Sequence, residues 1–247
     1  MKIEGNTILV TGGGSGIGRA LSRRWHDAGN IVIVAGRRLD ALEETIAGRE
    51  RMHAVPLDVE SADTIEAFAS ALVAEHPGLN VLVNNAGIMR REDPTARRDL
   101  ADAEATIVTN LLGPIRLTNA LIDHLKNASD PAIVNVTSGL AFVPLPATAT
   151  YSATKAAMHS YSQSLREQLR GEVEVIELAP PGVQTDLTPG QSTRDAYQPL
   201  DEYADEVMRL FAKQPTPPEI LVERVKFLRF AERDGTTQQA LENFRAY

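Results

Sequence analysis

Tyr151 and Lys155 stand four residues apart in YSATK, a spacing that puts both side chains on one face of a helix. Ser138 lies thirteen residues before Tyr151, in NVTSG, just past a β-branched run. A phenol, an ammonium and a hydroxyl brought together suit proton transfer to an oxygen that is gaining negative charge. A free phenol titrates at about pH 10, too high for ready exchange near neutrality. A neighbouring ammonium favours the phenolate and lowers that value. The serine hydroxyl can donate to the charged oxygen. Asn110, in VTNLLGP, falls inside a long helical stretch, where an asparagine kinks or hydrates the helix and offers an anchor for a proton-relaying water.

A second group of residues asks for a partner molecule. TGGGSGIG, residues 11–18, is wedged between a strand pattern and a helix pattern, which argues against a flexible linker. A mononucleotide P-loop needs Gly-Lys-Ser/Thr after its second glycine, but Gly18 is followed by Arg19 and Ala20. The strict GxGxxG fingerprint also fails, because position 17 is Ile17. What fits is TGxxxGxG, with Gly12, Gly16 and Gly18. Gly12 permits a tight exit from the strand, Gly16 a close approach of backbone to phosphate, and Gly18 close packing of the helix. The free amides and positive dipole end of that helix attract a pyrophosphate.

The end of the second strand then reads Gly36-Arg37-Arg38, where an NAD site usually carries an acid for the ribose 2′-hydroxyl. Two guanidinium groups are either a solvated pair opening a surface helix or a bidentate site for a 2′-phosphate. The second reading selects NADP(H) over NAD(H).

The elements that must position these residues alternate along the chain. Six short apolar runs, at 7–11, 31–35, 52–57, 80–85, 132–138 and 172–178, are separated by amphipathic stretches at 17–28, 62–75, 99–126 and 150–170. Near-continuous apolar strands suit a parallel sheet covered on both faces. The pattern predicts a single α/β domain over 1–247, a doubly wound, Rossmann-like parallel sheet, with ligands at the carboxyl ends of its strands. Residues 187–218 differ in texture, with prolines and turn residues around one short helical pattern; they read as a substrate-side flap or a surface insertion.

With 43% apolar and 23% charged residues, the composition is that of an ordinary globular chain. The net charge of −8 argues against a nucleic-acid surface. The absence of cysteine excludes disulfides and thiol nucleophiles, and the five histidines match no metal-ligand spacing, so no metal is expected. Neither a signal peptide nor a membrane span is legible, which makes a cytoplasmic protein the expectation.

In order and spacing, TGGGSGIG, NNAG (84–87), Asn110, Ser138, the Tyr151/Lys155 pair, and Pro181-Gly182 with Thr185 resemble the short-chain dehydrogenase/reductase family in its single-domain form. The resemblance covers roughly residues 5 to 187. It implies a catalytic tetrad of Asn110, Ser138, Tyr151 and Lys155. It also implies cofactor contacts from Gly12, Ser15, Gly16, Ile17 and Gly18, from Asp58 and Val59 on the adenine side, and from Asn84, Ala86 and Gly87. Further contacts are implied from Tyr151, Lys155, Pro181, Gly182 and Val183, with Thr185 holding the nicotinamide carboxamide. The activity implied is hydride transfer between NADP(H) and a carbonyl/alcohol pair.

The apolar segment GLAFVPLP after Ser138 favours an apolar or aromatic ketone or aldehyde. Arg90 and Arg91 offer a carboxylate site or a solvated surface. An epimerase or dehydratase of the longer relatives, or a non-catalytic NADP-sensing protein, are the alternatives. Many relatives end in a Gly- and Val-rich seventh strand. This chain's end reads as helical through about Arg233 without that signature, so a homodimer or higher homo-oligomer is expected through the long helices instead.

Overall fold

The computed structural model describes residues 1–244. Its strands are β1 (Thr7–Thr11), β2 (Ile31–Gly36), β3 (Met52–Pro56), β4 (Leu79–Asn84), β5 (Ala132–Val136), β6 (Glu174–Leu178) and β7 (Glu219–Ile220). They form one seven-stranded sheet in the order β3-β2-β1-β4-β5-β6-β7, and every pairing is parallel. The order reverses between β1 and β4, which is the switch point where a doubly wound sheet opens a crevice at its strand ends.

Alternation along the strands feeds two cores. Ile8, Val10, Val32, Val34, Val81 and Val83 face one side, with Trp25 of α1 (Gly16–Asp27) and Tyr203 and Phe211 of α7 (Leu200–Phe211). Leu9, Ile33, Leu82 and Ile133 face the other, with Leu72 of α3 (Ala62–Glu75) and Leu117, Leu121 and Leu125 of α5 (Gly113–Lys126). Two-sided burial is why these strands read as unbroken apolar runs. A short helix α2 (Leu39–Ile46) follows β2, and α6 (Ala149–Gln168) packs beside β6.

The stretch 99–126 is not one helix. α4 (Ala101–Ile107) passes through a π-helical turn, Val108–Leu112, before α5 begins. The interruption is centred on Asn110, as a helix-disturbing asparagine predicts, and π-turns of this kind mark functional positions in many helices.

Two expectations need correcting. A seventh strand is present: β7 pairs Glu219 with Glu177 and Ile220 with Leu178. Two residues behind a run of prolines are too short for any periodic signal. The chain beyond it is helical in pieces, α8 (Lys226–Arg229) and α9 (Thr237–Phe244), rather than through Arg233. Segment 187–218 also divides. Its second part is α7, whose Tyr203, Ala204, Val207 and Phe211 are fully buried against α1, so it belongs to the core. Only the part before Leu200 lies at the site. Among the described residues no helix is long and apolar enough to cross a membrane.

Candidate active site

The glycine loop leaves β1 at Gly12, whose φ of +67° is a left-handed conformation that glycine adopts without cost. A Cβ on Gly18 would lie 2.4 Å from the Gly12 carbonyl oxygen, so α1 can pack on the strand exit only with glycine there. Ser15, at the helix N-cap, makes no capping bond with its side chain. The amides of the first turn therefore face the groove without that partner. Thr11 locks the neighbouring strand end in place: its Oγ1 accepts from the amides of Asn85 and Ala86 at 3.0 Å each.

The groove above this loop encloses about 520 Å³. Gly12, Ser15, Gly16, Ile17 and Gly18 line one end, with Arg37 and Arg38 beside them. Ala86, Gly87, Tyr151 and Lys155 line the middle, and Pro181, Val183 and Thr185 the far wall. An adjoining hollow adds Gly36, Leu57 and Val59. A backbone-lined floor, an open helix N-terminus and guanidinium groups at one end fit a nicotinamide dinucleotide.

Tyr151 and Lys155 project from one face of α6, and both are buried. Lys155 Nζ donates to the Val136 carbonyl at 2.8 Å and lies 5.6 Å from the centre of the Tyr151 ring. The Tyr151 hydroxyl is hydrogen-bonded to Ser138, whose Oγ also accepts from the Leu140 amide at 3.1 Å. Burial pushes the phenol up to about 12, against the opposing pull of the Ser138 bond. Burial likewise brings the Lys155 ammonium down to about 8. The sequence argument expects the ammonium to lower the phenol; in the protein alone burial raises it, and the pull against burial comes from Ser138 rather than from Lys155. The phenol is thus held loaded with its proton.

A family model described as short chain dehydrogenase matches residues 6–196. The chain belongs to the short-chain dehydrogenase family. This dehydrogenase is 41% identical over 241 residues to "Uncharacterized oxidoreductase DltE" of Bacillus subtilis (strain 168), covering 94% of each chain. It is 36% identical over 186 residues to a sulfoacetaldehyde reductase of Chromohalobacter salexigens, covering 73% of this chain and 74% of the relative. A solved short chain dehydrogenase from Burkholderia cenocepacia J2315, in complex with NADP, superposes with a TM-score of 0.82 at 25% identity, over 97% of this chain and 98% of that one. The chain is an oxidoreductase of this family.

Several residues of the dehydrogenase lie elsewhere than the sequence suggests. Asn84 does not line the groove. Strand alternation turns it to the α5 face, where it donates to Thr118 Oγ1 and to Asn135 Oδ1. The next residue, Asn85, takes the groove position and donates to the Thr11 carbonyl at 2.8 Å. Asp58 turns inward to its own loop and accepts from the Glu60 amide, leaving Leu57 and Val59 at the wall. Gly182 faces the second cavity, where a Cβ would meet the Tyr197 ring at 2.9 Å.

Asn110 lines neither cavity. Its side chain clasps Ile88, accepting from the amide and donating to the carbonyl at 2.8 Å each, so it positions the loop after β4. Arg37 is paired with Glu60 at 3.0 Å, whereas Arg38 makes no ion pair among the described residues. Arg90 pairs with Asp102 at 3.6 Å, and with Arg91 it borders a third hollow of about 290 Å³, rich in charged side chains, that shares Arg90 and Tyr151 with the groove.

Two residues had no signal in the sequence. Glu92, from the loop after β4, accepts from the Thr150 amide, the Thr150 hydroxyl and Arg98. It supplies the negative charge and hydrogen bonds at the start of α6 that the N-cap Thr148 does not make. Burial alone would raise its carboxyl, but the bonds from Thr150 and Arg98 outweigh this and hold it below the usual range. Gln191 donates to the Val183 carbonyl at 2.9 Å and to Thr185 Oγ1 at 3.0 Å, fixing the loop after β6.

His159, Glu177 and Glu219 also converge, out of sight of sequence spacing. Thr137 and Arg229 occupy their carboxylates, which ties β5, β6 and β7 together behind Ser138.

The second cavity encloses about 410 Å³. Its walls are Met89, Leu140, Leu145, Leu187, Phe227 and Leu228, among others. Of the GLAFVPLP segment, Leu140 and Leu145 face this space. Val143 instead packs with Leu228 and Ala231 in a small core of its own, and Phe142 stacks edge-on against His159.

Proposed function

We propose that this dehydrogenase transfers hydride between NADP(H) and small carbonyl/alcohol pairs with an apolar or aromatic body, in the cytoplasm. The observation that carries this reading is that Ser138 and Tyr151 line both the dinucleotide groove and the apolar cavity. The two spaces also share Pro180, Pro181, Leu187 and Gln191, but Ser138 and Tyr151 are the shared residues that carry hydroxyls, so they are the groups able to handle a proton where substrate and dinucleotide meet.

When bound, the nicotinamide supplies or accepts the hydride. Ser138 orients the carbonyl oxygen and donates to it as charge grows. Tyr151 gives that oxygen its proton in reduction and takes it back in oxidation. Lys155, held by the Val136 carbonyl, places a positive charge beside the phenol as the phenolate forms. Asn110 and Glu92 hold the two loops that frame these groups.

NADP(H) is favoured over NAD(H) because Gly36 brings no acid and Arg38 is uncommitted. The NADP complex of the Burkholderia relative and the aldehyde-reducing activity in the name of the Chromohalobacter relative agree with this reading. Pairing of two or more copies through the long helices is part of the proposal: Leu100, Ile107 and Leu112, along α4 and its π-turn, are exposed apolar side chains.

The test is NADPH oxidation across a panel of ketones and aldehydes, with Tyr151→Phe as control and light scattering for assembly. Turnover of an aromatic ketone or aldehyde that the control lacks supports the reading. A panel with no turnover in the presence of tight NADPH binding overturns it in favour of cofactor sensing.

A further inference from the structure

We infer that the substrate carries an oxyanion remote from its carbonyl and that Arg224 is the residue that receives it. The inference rests on the function proposed above and narrows its substrate class. Among the described residues the apolar cavity has one charged side chain in its wall, Arg224, and no carboxylate.

The backbone aims it there. Val222 and Val225 are fully buried, and the single 3₁₀ turn Glu223–Val225 between them holds Arg224 at the cavity's rim. Its one hydrogen bond among the described residues runs from Nη1 to the Ala196 carbonyl at a long 3.4 Å. The two acids that flank its turn are committed: Glu223 pairs with Lys226, and Glu206 accepts from the Glu223 amide and from Gln198; Asp195, beside Ala196, makes no ion pair with Arg224. Arg229, on the same segment, is by contrast held by both carboxylate oxygens of Glu219.

A guanidinium left without a carboxylate at the edge of an apolar space has a fork of donors matched to an oxyanion such as a carboxylate. The other polar groups in the wall are spoken for. Ser138 and Tyr151 serve the carbonyl, and Gln191 donates to Val183 and Thr185. The geometry therefore describes a compound with three parts: a carbonyl at Ser138 and Tyr151, an apolar body along Leu140, Leu145 and Phe227, and an anionic end at Arg224. Arg224 is exposed, so solvent and salt screen the contact and hold its effect to about tenfold.

The experiment compares one aromatic oxo acid, its sulfonate analogue and its methyl ester as substrates with NADPH, at low and high salt. The proteins are the parent, Arg224→Met and Arg224→Lys. The parent should prefer the two anions over the ester by about tenfold, mainly through KM, and salt should shrink the preference. In Arg224→Met the ratio should fall to near one, and Arg224→Lys should retain part of it. A better fit to the carboxylate than to the sulfonate would identify the planar acid as the ligand.

A parent that treats acid and ester alike, or an Arg224→Met enzyme that keeps the preference, overturns the inference and leaves the proposed function standing. If no compound turns over, the function reading fails instead. Calorimetric binding of the oxo acid to the NADPH complexes of the parent and Arg224→Met then still decides Arg224.

Discussion

The two cavities that meet at Ser138 and Tyr151 are built in opposite ways. The dinucleotide groove is made mostly of strand ends: residues 12–18 after β1, 37–38 after β2, 85–88 after β4, 136–138 at the end of β5, and Pro180, Pro181, Val183 and Thr185 after β6. Each piece is short and backbone-rich, and it is held by the sheet directly beneath it. The apolar cavity takes its walls from the loop after β5, the segment before α7, and α8 and α9. Those pieces hold one another through side chains, as Val143 packs with Leu228, Ala231 and Ala240, and they lean on the loop after β6 through the Tyr197 ring on Gly182 and Gln191 on Val183. The first region is fixed by topology and the second by packing. Changes to shared chemistry should therefore act on both, changes to the groove on cofactor alone, and changes to the cavity on substrate alone.

The largest effect should come from the hydroxyls the regions share. Tyr151→Phe removes only the proton donor, so turnover should fall by about a thousandfold or more while NADPH affinity stays within a few-fold. Ser138→Ala should lower turnover by about a hundred- to a thousandfold, as loss of one oxyanion donor does. Steady-state kinetics with NADPH fluorescence titration separates these outcomes, and a Tyr151→Phe enzyme with near-normal turnover would remove the phenol from its role.

The direction of reaction should matter next. With the phenol near 12, its proton is present at any pH below that, so kcat/KM for reduction should be flat between pH 6 and 8. Oxidation needs the scarce phenolate, so its kcat/KM should rise about tenfold per unit over the same window. Lys155, brought down to about 8, is about a tenth neutral at pH 7 and half neutral at pH 8, so its titration should bend either profile by about twofold at most within that window. Equal slopes in the two directions would assign the titrating proton to another group.

This contrast also explains what the sequence discloses. The glycine loop, Ser138, Tyr151 and Lys155 are legible because each follows a strand or shares a helix face, and local spacing is enough to place them. Asn84 misleads because NNAG offers two asparagines and only the strand's alternation decides which one reaches the groove. Glu92 is silent because its partner, Thr150, is 58 residues away. The two-residue β7 has no period to detect. Arg224 and Phe227 belong to a cavity whose walls are joined only by tertiary packing, and nothing in their neighbours announces it.

A glycine in the groove and an aromatic in the cavity should therefore respond differently. Gly18→Ala forces a Cβ toward the Gly12 carbonyl and Asn85, both rigidly held, at a cost of about 1–3 kcal/mol. That should weaken NADPH binding by about fivefold to a hundredfold and lower the melting temperature. Phe227→Ala, at a side chain 58% exposed on the cavity rim, should leave NADPH affinity alone and change only substrate KM, by a few-fold. Matching changes in cofactor affinity from both variants would mean that the two regions are energetically one.

Cofactor choice should show an effect of only about tenfold, and the structure narrows its cause. A charge-assisted contact to a 2′-phosphate contributes about 1.5–3 kcal/mol, or roughly ten- to a hundredfold in preference for NADPH over NADH. Arg37 is already engaged by Glu60, which Thr109 also holds at 2.9 Å, so it must exchange one partner for another. Arg38 has no such competitor, so the preference should fall near tenfold and depend on Arg38 more than on Arg37. Position 36 has room for an acid: the nearest atom to an added Cβ is Leu42 Cδ2, at 3.7 Å. Gly36→Asp combined with Arg38→Ser should therefore reverse the preference, since the new carboxylate repels a phosphate and accepts from a 2′-hydroxyl. The measurements are kcat/KM and dissociation constants for both cofactors in the parent, the Arg37→Ser and Arg38→Ser variants, and the double variant. A parent that favours NADH, or an Arg37→Ser variant more damaging than Arg38→Ser, would relocate the phosphate site while leaving the hydroxyl chemistry at Ser138 and Tyr151 as it stands.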